Sequence, residues 1–289
     1  MDGILNIYKP IGITSFDVVR QIKKVTGIKK IGHTGTLDPL ATGVLPICIG
    51  KGTKIVDYLM KDFKVYKAEL KLGVITDTYD REGKELSVKD VNVSKKEIID
   101  KINSFKGNIL QVPPMYSALK VNGKRLYELA REGKEVERVA RPVTIYDIEI
   151  LDISIPYIKF MVKCSKGTYI RSLCYDIGDN LGCGGAMWNL ERVQSGSFNK
   201  DNSITLENLT KDNVEDYIIP IDDALSQYDK AIVNSKAEKL LINGVRIADK
   251  RLLNTIELNK LYRIYNEDNK FLGLGLRNNQ GLKIEKLLL

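Results

Sequence analysis

Gly32-His33-Thr34-Gly35-Thr36-Leu37-Asp38-Pro39-Leu40-Ala41-Thr42-Gly43 is the stretch on which the reading of this 289-residue chain turns. It holds the only histidine of the protein beside three threonines, three glycines and one carboxylate. Such a run is a loop, because glycine permits turns and close backbone approach while Pro39 keeps Asp38 out of the helical region. Asp38 is therefore presented from a stiff, extended or turning backbone. Two readings stand open for it: Asp-Pro is a common turn dipeptide that bonds its own backbone, and a carboxylate on a constrained loop is also a group that does chemistry.

The flanks of the loop read as regular structure. Ile4 to Tyr8 is a short apolar strand ending at the turn Lys9-Pro10-Ile11-Gly12. Thr14 or Ser15 caps a helix with Phe16, Val18, Val19 and Ile22 at helical spacing, closing near Gly27. On the other side, Val44 to Ile49 reads as a buried strand and Thr53 to Met60 as a helix. Phe63 to Leu72 alternates, with Val65, Ala68, Leu70 and Leu72 against Lys64, Lys67, Glu69 and Lys71, and encloses Tyr66. Asp77, Asp80 and Glu82 do not have calcium-loop spacing and read as a solvated turn.

Further along, Ser94 caps a helix through Phe105. The segment 113–142 opens Pro113-Pro114-Met115-Tyr116-Ser117-Ala118-Leu119-Lys120, carries a short helix at Leu126, Leu129 and Ala130, and ends Arg138-Val139-Ala140-Arg141-Pro142. From Lys120 to Arg141 seven basic residues face four acidic ones, which suits either a solvated helix or a polyanion contact. Val143 to Ile150 and Tyr157 to Cys164 read as neighbouring strands. Ser165 to Leu173 is a turn entering a helix toward Leu181, broken by Gly182-Cys183-Gly184-Gly185, and a capped helix is predicted at Thr205 to Leu209. A boundary falls at Ser226 to Lys230. Beyond it come a helix at Ser235 to Ile242, a hairpin of Leu261 to Tyr265 with Phe271 to Leu276, and a last strand at Leu282 to Leu288.

The totals narrow the chemistry. Hydrophobic residues at 43% and charged ones at 28% are ordinary for a globular protein, and the net charge of +8 favours a polyanionic partner without requiring one. The four cysteines form no C-x-x-C pair and, with one histidine, make a poor zinc set; free thiols in a reducing cytoplasm are expected. No stretch reaches membrane-spanning length and no signal-peptide pattern opens the chain. The P-loop pattern fails at Gly50-Lys51-Gly52, with Leu45 where a glycine is required, and no G-x-S-x-G elbow accompanies His33. A carboxylate with Tyr and Arg partners is the chemistry left.

Lys9-Pro10-x-Gly12-x-Thr14-Ser15, followed by Gly32 to Leu45, closely resembles the first two motifs of the TruB family of tRNA pseudouridine synthases. Tyr66 within Lys64-Val65-Tyr66-Lys67, the Pro113 to Lys120 stretch and Ser165 to Leu173 resemble further family motifs, in the family's order and across nearly the whole chain. The resemblance implies an α+β fold. It places a catalytic domain over 1–228, with a central, largely antiparallel mixed sheet flanked by helices and an RNA-gripping insertion at 113–142. Residues 229–289 would form a small β-rich PUA-like RNA-binding domain.

It also implies the reaction, isomerisation of the T-loop uridine of tRNA, position 55, to pseudouridine without cofactor or metal. The base is flipped, its glycosidic bond cleaved, and the uracil rejoined through carbon 5. Asp38 matches the essential aspartate, as nucleophile at the sugar or as base toward the 2′ proton. Arg171 matches its arginine partner, which would depress the Asp38 pKa. Tyr66 matches the tyrosine stacked on the target base. His33, Leu190 and Lys9 are the implied substrate contacts beside the target nucleotide, and Lys9 with Pro10 also supports the loop from the adjacent turn. Lys120, Lys124, Arg125, Arg138 and Arg141 are the implied RNA contacts of the insertion. Glu191 departs from the pattern where a basic residue is expected, and Arg192 is the candidate to compensate. The partner implied is tRNA, through its T-arm and acceptor arm, for a cytoplasmic enzyme that can act as a monomer. A competing reading is an RNA-binding module or tRNA-folding chaperone whose motif residues no longer support turnover.

Overall fold

The computed structural model describes all residues of 1–289 except Asn122. The chain opens on β1 (Gly3–Lys9), and a turn leads to α1 (Ser15–Thr26). Thr14 starts this helix through a capping box: its hydroxyl accepts from the Asp17 amide, and the Asp17 carboxylate accepts from the Thr14 amide at 2.9 Å. Gly27 ends it in the left-handed conformation. β2 (Ile31–His33) and β3 (Thr42–Ile49) flank the glycine-rich loop and pair antiparallel, with His33 opposite Ile47. In place of one helix over Thr53 to Met60, the chain makes a 3-10 turn at Gly50–Ile55 and then a short α2 (Val56–Leu59). The Thr53 hydroxyl donates to the Gly50 carbonyl at 2.7 Å, a local bond that competes with the α-helical pattern.

β4 (Lys64–Leu72) is followed by the small hairpin β5 (Val74–Thr76) and β6 (Glu85–Val88), then α3 (Lys95–Asn103) and β7 (Gly107–Gln111). Within the insertion lie β8 (Lys120–Val121), β9 (Lys124–Arg125) and α4 (Leu126–Arg131), packed on a core of Met115, Leu126 and Leu129. Next come β10 (Arg141–Ser154), β11 (Tyr157–Cys164), α5 (Ile170–Asn180) and β12 (Gly185–Ser195). Two short strands follow, β13 (Phe198–Asn199) and β14 (Ile204–Thr205). The helix predicted at Thr205 to Leu209 is only a 3-10 turn, Leu206–Asn208. The chain continues through α6 (Ile221–Ala224), β15 (Asp229–Val233), α7 (Ser235–Ile242), α8 (Lys250–Leu253), β16 (Lys260–Asn266), β17 (Phe271–Asn278) and β18 (Gly281–Leu287).

The main sheet runs in the order β14-β1-β3-β12-β4-β11-β10-β7, with β2 attached to β3 and β13 to β12. Its pairings are antiparallel except β1 with β14 and β3 with β12, so the mixed, largely antiparallel α+β architecture is as predicted. Neighbouring residues of one strand point to opposite faces. Leu5 accordingly joins a core with Val18, Val19 and Ile22 of α1, Ile98 and Ile102 of α3, and Leu173 and Ile177 of α5. Ile4 joins a second core, with Val44, Leu59, Leu225, Leu274 and Leu288. β1 and β3 are thus covered on both faces, which is why they read as continuous apolar runs. The second core is where the small sheet β15-β16-β17-β18 seats against the large one.

Two strands differ from expectation. In β4 the inward set is Lys64, Ala68, Leu70 and Leu72, and Val65 lies with the opposite parity. Lys64 is buried, its ammonium donating to the Met60 and Asp62 carbonyls at 2.7 and 2.6 Å. β12 has no counterpart among the predicted elements, yet it is the strand that joins the β1–β3 half of the sheet to the β4–β7 half. Two bulges, after Met187 and after Arg192, shift its parity and erase the period-two signal.

Candidate active site

The loop between β2 and β3 is held from two sides. Toward the N-terminus, the Gly12 amide donates to the Pro39 carbonyl at 2.9 Å. The Ser15 hydroxyl both donates to the Leu37 carbonyl at 3.1 Å and accepts from the Leu37 amide at 2.8 Å. The Lys9 ammonium, fully buried, donates to the Pro10 and Ile13 carbonyls at 2.8 Å each and to Pro39 at 3.4 Å. From below, Arg192 of β12 donates through Nε to the Val44 carbonyl at 2.7 Å and through Nη2 to the Gly35 carbonyl at 3.2 Å. Gly43 is required where the loop enters β3: its φ is +111° and a Cβ there would lie 2.2 Å from the Arg192 carbonyl oxygen.

Asp38 sits in this frame with its side chain 35% exposed, facing Arg171 at the start of α5, which is 7% exposed. The guanidinium engages the carboxylate as a fork, Nε to Oδ2 at 3.0 Å and Nη2 to Oδ1 at 3.3 Å. Nη2 also donates to the Tyr116 carbonyl at 2.7 Å, and Nη1 lies 3.4 Å from the Thr78 carbonyl and 3.7 Å from Asp80 Oδ2. One arginine therefore ties the glycine-rich loop, the root of the insertion and the 77–83 turn together. Asp80 is 5% exposed and accepts from Thr78 Oγ1 at 2.6 Å and the Glu82 amide at 3.1 Å. The solvated-turn reading is thereby corrected for Asp80, which belongs to the site. Its signal is masked because Asp77 and Glu82 beside it resemble an ordinary polar turn.

The electrostatics differ from expectation at Asp38. Loss of hydration in the cleft pushes its pKa up, and this outweighs the downward pull of Arg171; Asp80 adds to the rise and Lys9 opposes it. Burial likewise raises the Tyr66 phenol, with the Arg192 guanidinium pulling the other way. His33 is lowered, first by burial and then by Arg192, while its Nδ1 accepts from the Gly35 amide at 3.3 Å. That bond leaves Nε2 as the proton-bearing nitrogen of the neutral ring.

Tyr66 and Leu190 lie on adjacent strands, with Leu190 opposite Ala68 and Arg192 opposite Tyr66. A cleft opens there in which Ile11, Leu40, Ala68 and Leu190 give an apolar patch, bordered by Thr42, Lys67, Glu69, Lys159, Asn189 and Glu191. Glu191 accepts from the Tyr8 hydroxyl at 2.7 Å and pairs with Lys200 at 2.6 Å. Arg192 is 1% exposed, so it cannot supply the missing basic contact at Glu191 and serves instead as internal support. Lys9, with no surface, is corrected in the same way from substrate contact to loop support. In the insertion, Lys120, Lys124, Arg125 and Arg141 are exposed. Arg138 is 14% exposed and donates to the Pro113 carbonyl at 3.2 Å, which makes it a brace as much as a contact. The insertion root is bolted to α5 by paired bonds between Gln111 and the Tyr169 backbone, at 3.0 and 2.8 Å, and by Ser172 Oγ to the Val112 carbonyl at 2.8 Å.

Burial holds the Lys9 pKa at about 8, below its ordinary 10.5. Between these values the unfolded chain binds more protons than the folded one, so Lys9 makes stability rise with pH from 8 to 10.5 and is unfavourable when charged below 8. Lys9→Met should abolish this part of the pH dependence. It should also cost roughly 1–3 kcal/mol for each carbonyl left unsatisfied, read from urea midpoints of both proteins across that range.

Among the described residues, no group of three or more His, Cys, Asp or Glu is placed to hold a metal ion. The family model of the TruB family pseudouridylate synthase N-terminal domain matches residues 23–170, and that of the tRNA pseudouridylate synthase B C-terminal domain matches 171–226. The tRNA pseudouridine synthase B of Clostridium novyi is 77% identical over 289 residues, covering 100% of both chains. That of Clostridium acetobutylicum is 62% identical over 288 residues, again covering 100% of both. A chain from the crystal structure of a Cbf5-Nop10-Gar1 complex superposes with a TM-score of 0.76 at 29% identity, covering 99% of this chain and 85% of that one.

Proposed function

The chain belongs to the TruB family of pseudouridylate synthases and is a tRNA pseudouridine synthase, and from that premise we propose that its target is the T-loop uridine at position 55. The observation that carries the reading is the Asp38–Arg171 fork on a loop braced from two sides, whose Leu40 and Thr42 line a cleft with an apolar patch and a charged border. A uridine stacked in the T-loop offers neither its sugar carbon nor its carbon 5 to a protein group, so the nucleotide is flipped out at a cost of a few kcal/mol. Asp38 then opens the glycosidic bond, as nucleophile at the sugar or as base toward the 2′ proton, with Arg171 fixing the carboxylate. Tyr66 stacks on the released uracil, which a flat aromatic face suits. Leu190 walls the pocket, and His33 stands at the flipped nucleotide.

The remaining roles follow from charge and position. Lys120, Lys124, Arg125 and Arg141 grip the T-arm backbone from the insertion, with Arg138 bracing it. The 229–289 module, PUA-like in this reading, docks the acceptor arm. Replacing Lys120, Lys124 and Arg125 by Gln should flatten the dependence of log affinity on log salt by roughly 0.7–0.9 for each phosphate no longer neutralised. Filter binding across a potassium chloride series measures this, and an unchanged slope would return the segment to a solvated helix.

The test of the function itself is direct. Purified protein is incubated with an unmodified tRNA transcript and pseudouridine is mapped by position. Modification confined to the T-loop uridine is the expected result. Normal binding with no modified base would favour the chaperone reading, and modification elsewhere would replace the substrate assignment.

A further inference from the structure

Helix α1 buries Ser15, Val18, Val19 and Ile22 and turns a different set of side chains to solvent. On its outer face stand Phe16, Arg20 and Lys24, spaced at i, i+4 and i+8 and therefore one above another. Phe16 is 59% exposed, an unusual place for a phenylalanine in a chain with two large cores. The Arg20 guanidinium lies over its ring, 5.3 Å from the centroid, and contacts Asp17. Asp17 also accepts from the Thr14 amide and hydroxyl at 2.9 and 2.5 Å, and its carboxylate offsets the charge of Arg20 alone. Lys23, Lys24, Lys29 and Lys30 have no carboxylate partner among the described residues.

The position of this face gives it a purpose. Ser15 is bonded to Leu37, the residue before Asp38, and Gly12 is bonded to Pro39, so the first turn of α1 abuts the catalytic loop. Ile11, 53% exposed, both lines the cleft and stands beside that turn. From Ile11 at the cleft the chain thus leads, within one turn of α1, to the exposed ring of Phe16 and the cations beyond it. Successive members of the row Phe16, Arg20 and Lys24 are roughly 6 Å apart along the helix. Aromatic surface for unstacked bases followed by cations for the backbone is the composition of a single-strand RNA platform.

We infer that the outer face of α1, Phe16, Arg20 and Lys24 with Lys29 and Lys30 beyond, is an RNA-docking surface separate from the insertion. Phe16 receives a base displaced next to the flipped uridine, and the cations follow the adjoining phosphates. The inference rests on tRNA being the substrate.

Its test removes the same charge from two places. Arg20→Gln with Lys24→Gln, and in a separate protein Lys95→Gln with Lys96→Gln on the exposed start of α3, are compared with wild type for tRNA affinity over a salt series. The α1 pair should lower the log–log slope by roughly 0.7–0.9 for each phosphate released from a cation and raise KM for tRNA about tenfold. The α3 pair should leave both unchanged. Phe16→Ala should raise KM several-fold and Phe16→Trp should restore it, since stacking needs a ring and not a particular one. An unchanged slope in the α1 pair, or an equal fall in affinity in both pairs, overturns the inference. Pseudouridine formation by the wild-type protein in the same assay keeps that outcome distinct from a failure of the substrate assignment.

Discussion

Asp38→Asn is expected to lower kcat for pseudouridine formation by at least roughly 10³-fold, because an amide is neither nucleophile nor base and general acid–base or covalent assistance is worth this much. Affinity for tRNA should stay within a few-fold of wild type. The carboxylate is already occupied by the Arg171 fork and contributes no grip on phosphate. Asparagine keeps the side-chain shape and can still accept from Arg171, so folding should survive. Single-turnover measurement with excess enzyme separates the two quantities. Turnover near the wild-type rate would sink the role given to Asp38, and loss of binding with loss of rate would assign it to recognition.

Arg171→Lys is the second large effect, expected at about a hundredfold loss in kcat, the order of cost of a misplaced reacting group. The charge is conserved and the geometry is not. Arginine here spends Nε and Nη2 on Asp38, Nη2 again on the Tyr116 carbonyl, and turns Nη1 toward Thr78 and Asp80. An ammonium is a compact point charge and cannot span those directions. The same charge, no longer held between Asp38 and Asp80, would screen them from one another less well, and the Asp38 pKa, already raised by burial, should rise further. The acid limb of the pH–rate profile should consequently move to higher pH in the variant. An unshifted limb with an unchanged kcat would show that Arg171 is structural only.

The parts of the fold that obey one local rule are legible in the sequence. The Thr14–Asp17 and Ser94–Glu97 capping boxes mark helix starts, and Gly27 marks a helix end. The doubly buried β1 and β3 announce themselves as apolar runs. β12 does not, because its bulges break the alternation that betrays a half-buried strand. Buried charges are the harder class. Lys64 and Arg192 look like solvent-facing residues in any one-dimensional reading. Only the carbonyls that receive them, some supplied by distant segments, explain their burial. At the site, Asp38 is conspicuous on its loop, whereas Arg171 is reachable only through the resemblance of Ser165 to Leu173 to a family motif. Asp80 escapes because what distinguishes it from Asp77 is proximity to Arg171, a fact of three dimensions.

The braces of the glycine-rich loop also set a schedule for biosynthesis. The Arg171–Asp38 contact joins residues 133 positions apart, and the Arg192–Gly35 bond spans 157. A chain emerging from the ribosome from its N-terminus has the motif carboxylate early and its supports late. Until β12 arrives, β3 lacks its inner neighbour and Gly35 lacks the guanidinium beneath it. Bracing of the catalytic loop therefore waits for β12 to join the two halves of the sheet. The last of these supports is in place once β12 has been made, with the small C-terminal sheet still to follow.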